Sequence, residues 1–143
     1  MRLNRLQSVL KQVARVIFGC RWGEHVTPLL RDRLHWLPVP QRIVYKRCWL
    51  TYRALHDPHC PDYLTALVRR STENERRSGL RSGRRVRLLV PPPSKTPKFG
   101  DTSFTRGNPS LWNALPDSVT GADSAQLFKR NLKTHLFNIG YLC

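Results

Sequence analysis

Between Leu3 and Phe18 the apolar residues Leu3, Leu6, Val9, Leu10, Val13, Val16 and Ile17 recur at intervals of three and four, the spacing of one helical face. Arg2, Arg5, Lys11 and Arg15 fall largely off that stripe, so the pattern predicts an amphipathic helix with its apolar side in a core. Gly19 stands where a left-handed residue caps such a helix. Thr27-Pro28 then supplies an N-cap and a first-position proline for a short helix through Leu34. Pro38 and Pro40 interrupt it. Because proline is tolerated in a first turn, Pro40 opens the longest, central helix, which carries Ile43, Val44, Tyr45, Trp49, Leu50, Tyr52 and Leu55 and is closed by Asp57-Pro58. Pro61 starts another short helix through Tyr63, Leu64, Leu67 and Val68.

From Arg69 to Lys98 the character changes to arginine, serine, glycine and Pro91-Pro92-Pro93, with only Val86-Arg87-Leu88-Leu89-Val90 suited to a short strand. Apolar periodicity returns at Phe99, Phe104, Leu111 and Trp112. A final helix begins near Asp123 or Ser124 with Leu127, Phe128, Asn131, Leu132, His135 and Leu136 on one face, and Asn138 and Gly140 are its natural terminators. The expected fold class is mainly α: a small helical domain interrupted by a basic Arg/Pro-rich loop, with at most one short β-strand or hairpin. Residues 1–68 form a helical region, 69–98 a basic flexible loop or linker, and 99–143 a C-terminal helical segment packing back on the first. Trp36, Trp49 and Trp112 are assigned to the core, where aromatic residues at helical spacing usually lie.

Charge adds a partner class to this picture. The chain of 143 residues carries 25 Lys and Arg against 9 Asp and Glu, a formal charge of +16 that points to polyanions. Residues 1–55 hold 11 basic and 2 acidic side chains, residues 56–98 hold 10 and 4, and residues 99–143 hold 4 and 3, so the electrostatic footprint belongs to the first two-thirds. The segment Met1 to Phe18 alternates charged and apolar side chains, unlike a signal-peptide core, and no apolar run approaches the ~18 residues of a membrane span. Cys20, Cys48, Cys60 and Cys143 are widely separated and include no C-x-x-C pair, so free thiols in a reducing compartment are expected. These features suggest an intracellular protein, nuclear or cytoplasmic, with no membrane partner.

Two groups of cations are candidates for phosphate contact. Arg76, Arg77, Arg81, Arg84, Arg85 and Arg87 lie among glycines and serines, which let a flexible segment follow a nucleic-acid backbone while guanidinium groups grip phosphate oxygens. The competing reading is a solvated linker. Arg42, Lys46, Arg47 and Arg53 lie on the central helix, where residues four or five apart align a second basic stripe beside Trp49 and Tyr52. His56, His59 and Cys60, like Cys20 with His25, lack tetrahedral metal-ligand spacing and read as ordinary side chains. His35 and His135 have no nucleophile context nearby, so no catalytic residue, metal site or cofactor is assigned.

The block His25-Val26-Thr27-Pro28-Leu29-Leu30, running into Leu34-His35-Trp36-Leu37-Pro38-Val39-Pro40-Gln41-Arg42-Ile43 and ending at Tyr52-Arg53-Ala54-Leu55-His56, resembles the segment C-terminal to the polymerase core of non-LTR (LINE-type, jockey-like) retrotransposon reverse transcriptases. Phe99-Gly100-Asp101, Leu111-Trp112-Asn113-Ala114-Leu115-Pro116 and Phe128-Lys129-Arg130-Asn131-Leu132-Lys133-Thr134-His135-Leu136-Phe137 follow the same pattern in order. His59-Cys60 and Pro40 depart from it. The resemblance implies a thumb and post-thumb region from an RNA-directed DNA polymerase, whose partners are RNA or RNA–DNA duplex and the fingers and palm of the parent enzyme. No aromatic-x-Asp-Asp motif occurs, so the fragment is expected to lack the metal-binding carboxylates of polymerisation and not to be an enzyme by itself. Met1 followed at once by family-like sequence suggests a late start in a larger frame or a genomic remnant. The alternatives are a decayed transposon fragment without function and a domesticated basic adaptor that binds nucleic acid or protein.

Overall fold

A computed structural model describes residues 2–71, 86–92 and 103–142. It is mainly α. The helices are α1 (Arg2–Phe18), α2 (Val39–His56), α3 (Asp62–Thr65), α4 (Phe104–Ala114), α5 (Asp117–Thr120) and α6 (Ala125–Tyr141). A π-helical turn, Leu29–Arg33, lies between α1 and α2. The middle of the basic loop, Pro93 and Phe99 lie outside the described residues. The chain divides into two compact units, one made of Met1–Tyr45 with Leu132–Cys143 and the other of Lys46–Asn131.

In the first unit α1 ends as its sequence predicts. Gly19 takes φ 63°, and the Cys20 amide donates to the Arg15 carbonyl at 3.1 Å, the wide hydrogen bond that closes a left-handed cap. The stripe, however, does not enter a core as a whole. Ala14 is buried with Val26 and Leu30, and Leu10, Leu29, Leu34 and Trp36 pack around them. Leu3, Leu6, Val9, Val13, Val16 and Ile17 are exposed. The apolar arc of α1 is wider than one packing face, and only the edge bearing Leu10 and Ala14 is covered.

The expected helix through Leu34 is instead a widened turn, in which the Leu34 amide reaches the Leu29 carbonyl at 2.9 Å and the Trp36 amide reaches Leu30 at 2.9 Å. The wider winding lifts Leu34 toward the same side as Leu29 and Leu30, which serves the small cluster better than regular α spacing. His35 follows at φ 47°, a left-handed conformation rarely adopted without glycine. The first turn of α2 is tied down across the sequence: the Val39 amide donates to Gln7 Oε1 at 2.8 Å, supplying one partner that a helix N-terminus lacks. At the other end α6 runs past both expected terminators, Asn138 and Gly140, to Tyr141. Two contacts explain this. A Cβ on Gly140 would lie 3.2 Å from Pro38, so the glycine serves close approach and not chain reversal. Tyr141 then donates its hydroxyl to the Trp36 carbonyl at 2.7 Å, anchoring the last turn.

In the second unit the centre is aromatic. Trp112 on α4 and Phe128 on α6 are almost wholly enclosed, at 1% and 0% exposure, with Tyr52 on α2 also buried. Trp49 is half-buried, as is Trp36 in the first unit; their sequence assignment to the core holds only for part of each ring. Ser124 caps α6 by accepting the Leu127 amide on its Oγ at 3.2 Å, as expected for a serine preceding the apolar run. Helix α3 is shorter than its apolar pattern suggests, and the segment 86–90 makes an isolated antiparallel bridge, Arg70 with Leu88. The Ser71 amide donates to Arg87 at 2.9 Å and the Leu89 amide to Arg69 at 2.8 Å. The opposite edge meets α4. There Asn113 accepts the Leu88 amide and donates to the Leu88 carbonyl, both at 2.9 Å, and Trp112 Nε1 donates to Val86 at 2.9 Å. A segment with a helix along its second edge has no place to propagate a ladder.

Candidate nucleic-acid interface

The four cations expected to line α2 meet different fates. Arg42 is exposed, donates Nε to the Leu37 carbonyl at 2.9 Å, and lies over the Trp36 ring at 5.4 Å from its centroid. Lys46 is exposed and makes no hydrogen bond or ion pair among the described residues. Arg47 is half-buried. Its Nε donates to Asn108 Oδ1 at 2.6 Å, and one terminal nitrogen is buried without a partner among the described residues. Asn108 in turn donates to Thr51 Oγ1 at 3.2 Å, so Arg47 belongs to a polar cluster inside the second unit. Arg53 pairs with Asp57 at 2.9 Å across one helical turn.

Of the loop arginines, Arg87 is exposed beside the Arg70 to Leu88 bridge, and Arg76, Arg77, Arg81, Arg84 and Arg85 lie outside the described residues. The structure adds two cations that the sequence argument passed over. Arg69 and Arg70 are both exposed at that bridge, and Arg70 donates to the Leu55 carbonyl at 3.1 Å. They were adjacent basic residues at the boundary assigned to the loop. Only the pairing of 69–71 with 87–89 brings them beside Arg87.

Aromatic side chains of the second unit form a continuous ladder. Trp112 and Phe128 stack with centroids 5.7 Å apart, Phe128 and Tyr52 at 4.2 Å, and Tyr52 and His56 at 4.5 Å. Trp49 joins from the side, stacking on Tyr52 at 5.7 Å, and carries the Lys129 ammonium 4.2 Å above its ring. The ladder thus starts in the core and ends at the exposed ring of His56. That ring lines a cleft of about 430 Å³ with Trp49, Tyr52, Arg53, Asp57, Asp123 and Ser124. Asp57 has both oxygens engaged: Oδ1 accepts the His59 amide at 3.0 Å and Oδ2 accepts Arg53. Those bonds, the His59 amide foremost and then the Arg53 side chain, hold its carboxyl below the usual range. Partial burial of the His56 ring, followed by the charge of Arg70, lowers the affinity of the imidazole for its proton.

The thiol of Cys48 is pushed up to about 12 by burial, the condition of an unreactive core cysteine. No three His, Cys, Asp or Glu side chains converge on a metal-sized site among the described residues. No helix among them is long and apolar enough to cross a membrane. No family model, curated protein or solved structure matches the chain.

Proposed function

We propose that this chain is the non-catalytic C-terminal segment of a non-LTR retrotransposon reverse transcriptase and that it holds RNA or RNA–DNA duplex by the phosphates. The observation that carries the reading is stoichiometric: 9 carboxylates stand against 25 cations, so most cations have no carboxylate of their own. Such a surface gains free energy by releasing the counterions condensed on a nucleic acid. Lys46, Arg69, Arg70 and Arg87 are exposed side chains of the kind required. The resemblance in the His25 to His56 block and around Leu111 to Pro116 supports the polymerase origin. The fingers and palm of the parent enzyme would supply the catalytic metal ions.

Two readouts on the purified chain test this. It is expected to bind RNA–DNA hybrids of unrelated sequence with similar affinity, because phosphate contacts carry no base information. It is also expected to incorporate no dNTP on a primed RNA template with magnesium or manganese, because the adjacent aspartates of the catalytic motif are missing from the sequence. Failure to bind any hybrid at low salt, or template-dependent incorporation with contaminating polymerase excluded, contradicts the proposal.

A further inference from the structure

The aromatic ladder of the second unit ends in an open position. Each inner ring is covered by the next, Trp112 by Phe128, Phe128 by Tyr52 and Tyr52 by His56, whereas Tyr52 is the only ring that touches His56 among the described residues. An exposed flat ring that lines a cleft and has another ring against it can serve as a stacking platform, and planar nucleobases stack on such platforms irrespective of sequence. The cleft volume of about 430 Å³ lies within the range that holds small ligands.

The polar groups around the platform narrow the choice of base. Asp57 has each oxygen engaged, by Arg53 and the His59 amide, but Asp123 is exposed and makes no hydrogen bond or ion pair among the described residues. An ionised carboxylate only accepts hydrogen bonds, through two oxygens side by side. Guanine alone of the common bases presents two adjacent donors, N1–H and the N2 amino group, on its pairing edge. Adenine and cytosine place an acceptor beside their amino group, and uracil places its single N–H between two carbonyls. We infer that the cleft takes one unpaired guanine base, stacked on His56, with N1–H and the N2 amino group donating to the Asp123 carboxylate. Arg70, which donates to the carbonyl of Leu55 next to His56, and Lys129 above Trp49 are placed to favour the phosphates that accompany such a base.

This inference rests on the reading of the chain as a nucleic-acid binder and adds a base-specific contact to its charge-driven ones. The test measures anisotropy of a labelled single-stranded oligouridylate carrying one central guanosine, adenosine or uridine, with the parent chain, His56→Ala and Asp123→Asn. An RNA–DNA hybrid serves as the control ligand for charge. The parent is expected to bind the guanosine strand about tenfold more tightly than the uridine strand, toward the lower end of what a hydrogen bond to a charged group yields. Both variants are expected to lose that preference while their hybrid affinity and circular dichroism stay unchanged. GMP should displace the guanosine strand and shift the ring resonances of His56, whereas AMP should do neither. Displacement by GMP at the strand's own affinity identifies the free nucleotide as a sufficient ligand.

Equal binding of all three strands by the parent overturns the inference, as does a guanosine preference that survives in both variants. In either case salt-dependent hybrid binding would leave the charge reading standing. Conversely, GMP-specific shifts of His56 without hybrid binding would uphold the cleft assignment and remove the charge reading.

Discussion

Gly140 and His56 show how far a single residue's role depends on what lies opposite it. Gly140 reads in the sequence as a helix stop, yet it sits inside the last turn of α6, where a Cβ would lie 3.2 Å from Pro38 and 3.3 Å from Gln41, closer than ordinary contact. Replacing it with valine is expected to lower the free energy of unfolding by about 1–3 kcal/mol, the usual cost of forcing extra atoms into a packed contact. Urea denaturation checks this, and an unchanged midpoint would mean that α6 is free to move away from Pro38. His56 predicts a pH effect with a definite sign. Its folded-state proton affinity lies below the ordinary value of 6.5, so the unfolded chain binds more protons just below that pH. The contribution is therefore fully present above pH 6.5 and is lost as pH falls through the lowered folded value. Comparing thermal unfolding of the parent and His56→Gln between pH 5 and 8 tests it: the parent should lose more stability on acidification than the variant. The role of Gly140 was not legible in sequence, because Pro38 and Gln41 lie at the far end of the chain; that of His56 needed the packing of its ring on Tyr52, one helical turn back, and the approach of Arg70.

At the level of elements, local signals were read well and packing partners were not. Gly19 capping α1, Pro40 in the first turn of α2, Asp57-Pro58 at its end and Ser124 at the start of α6 all act through hydrogen bonds or steric limits within a few residues. The same logic failed for α1, whose apolar stripe predicts burial that only Leu10 of its members achieves, and in part, while Ala14, outside the stripe, is buried, because periodicity reports which side is apolar and not how much surface a neighbour covers. The segment 86–90 carried strand propensity, but its fate was set by Asn113, which occupies the backbone groups of Leu88 as a neighbouring strand would. Asn113→Ala leaves that amide and carbonyl without their partners at a half-buried edge. It is expected to destabilise the second unit by about 1–3 kcal/mol and to speed hydrogen exchange at the Leu88 amide. Unchanged exchange at Leu88 would show that water replaces the side chain without loss. Of the candidate interface residues, Lys46 and Arg87 are exposed, whereas Arg47 is committed to Asn108, 61 positions away and invisible to local reading, and Arg53 to Asp57 one turn on.

For the whole molecule the dominant quantity is charge, and it acts over distances that make individual contacts secondary. A net charge of +16 on 143 residues draws the chain toward any polyanion, and salt screens that attraction. The central claim is that exposed cations of this chain bind nucleic-acid phosphates. Its most direct test is the dependence of the association constant for an RNA–DNA hybrid on salt. The parent chain is compared with one variant carrying Lys46, Arg69 and Arg70 as Ala and another carrying Arg81, Arg84, Arg85 and Arg87 as Ala. Log affinity should fall linearly with log salt, by about 0.9 for each phosphate neutralised on the duplex-DNA calibration. Each replaced cation that touches a phosphate should reduce the slope by about one, equally for all hybrid sequences, with circular dichroism unchanged. Parent and both variants binding with the same affinity and the same slope would contradict the claim.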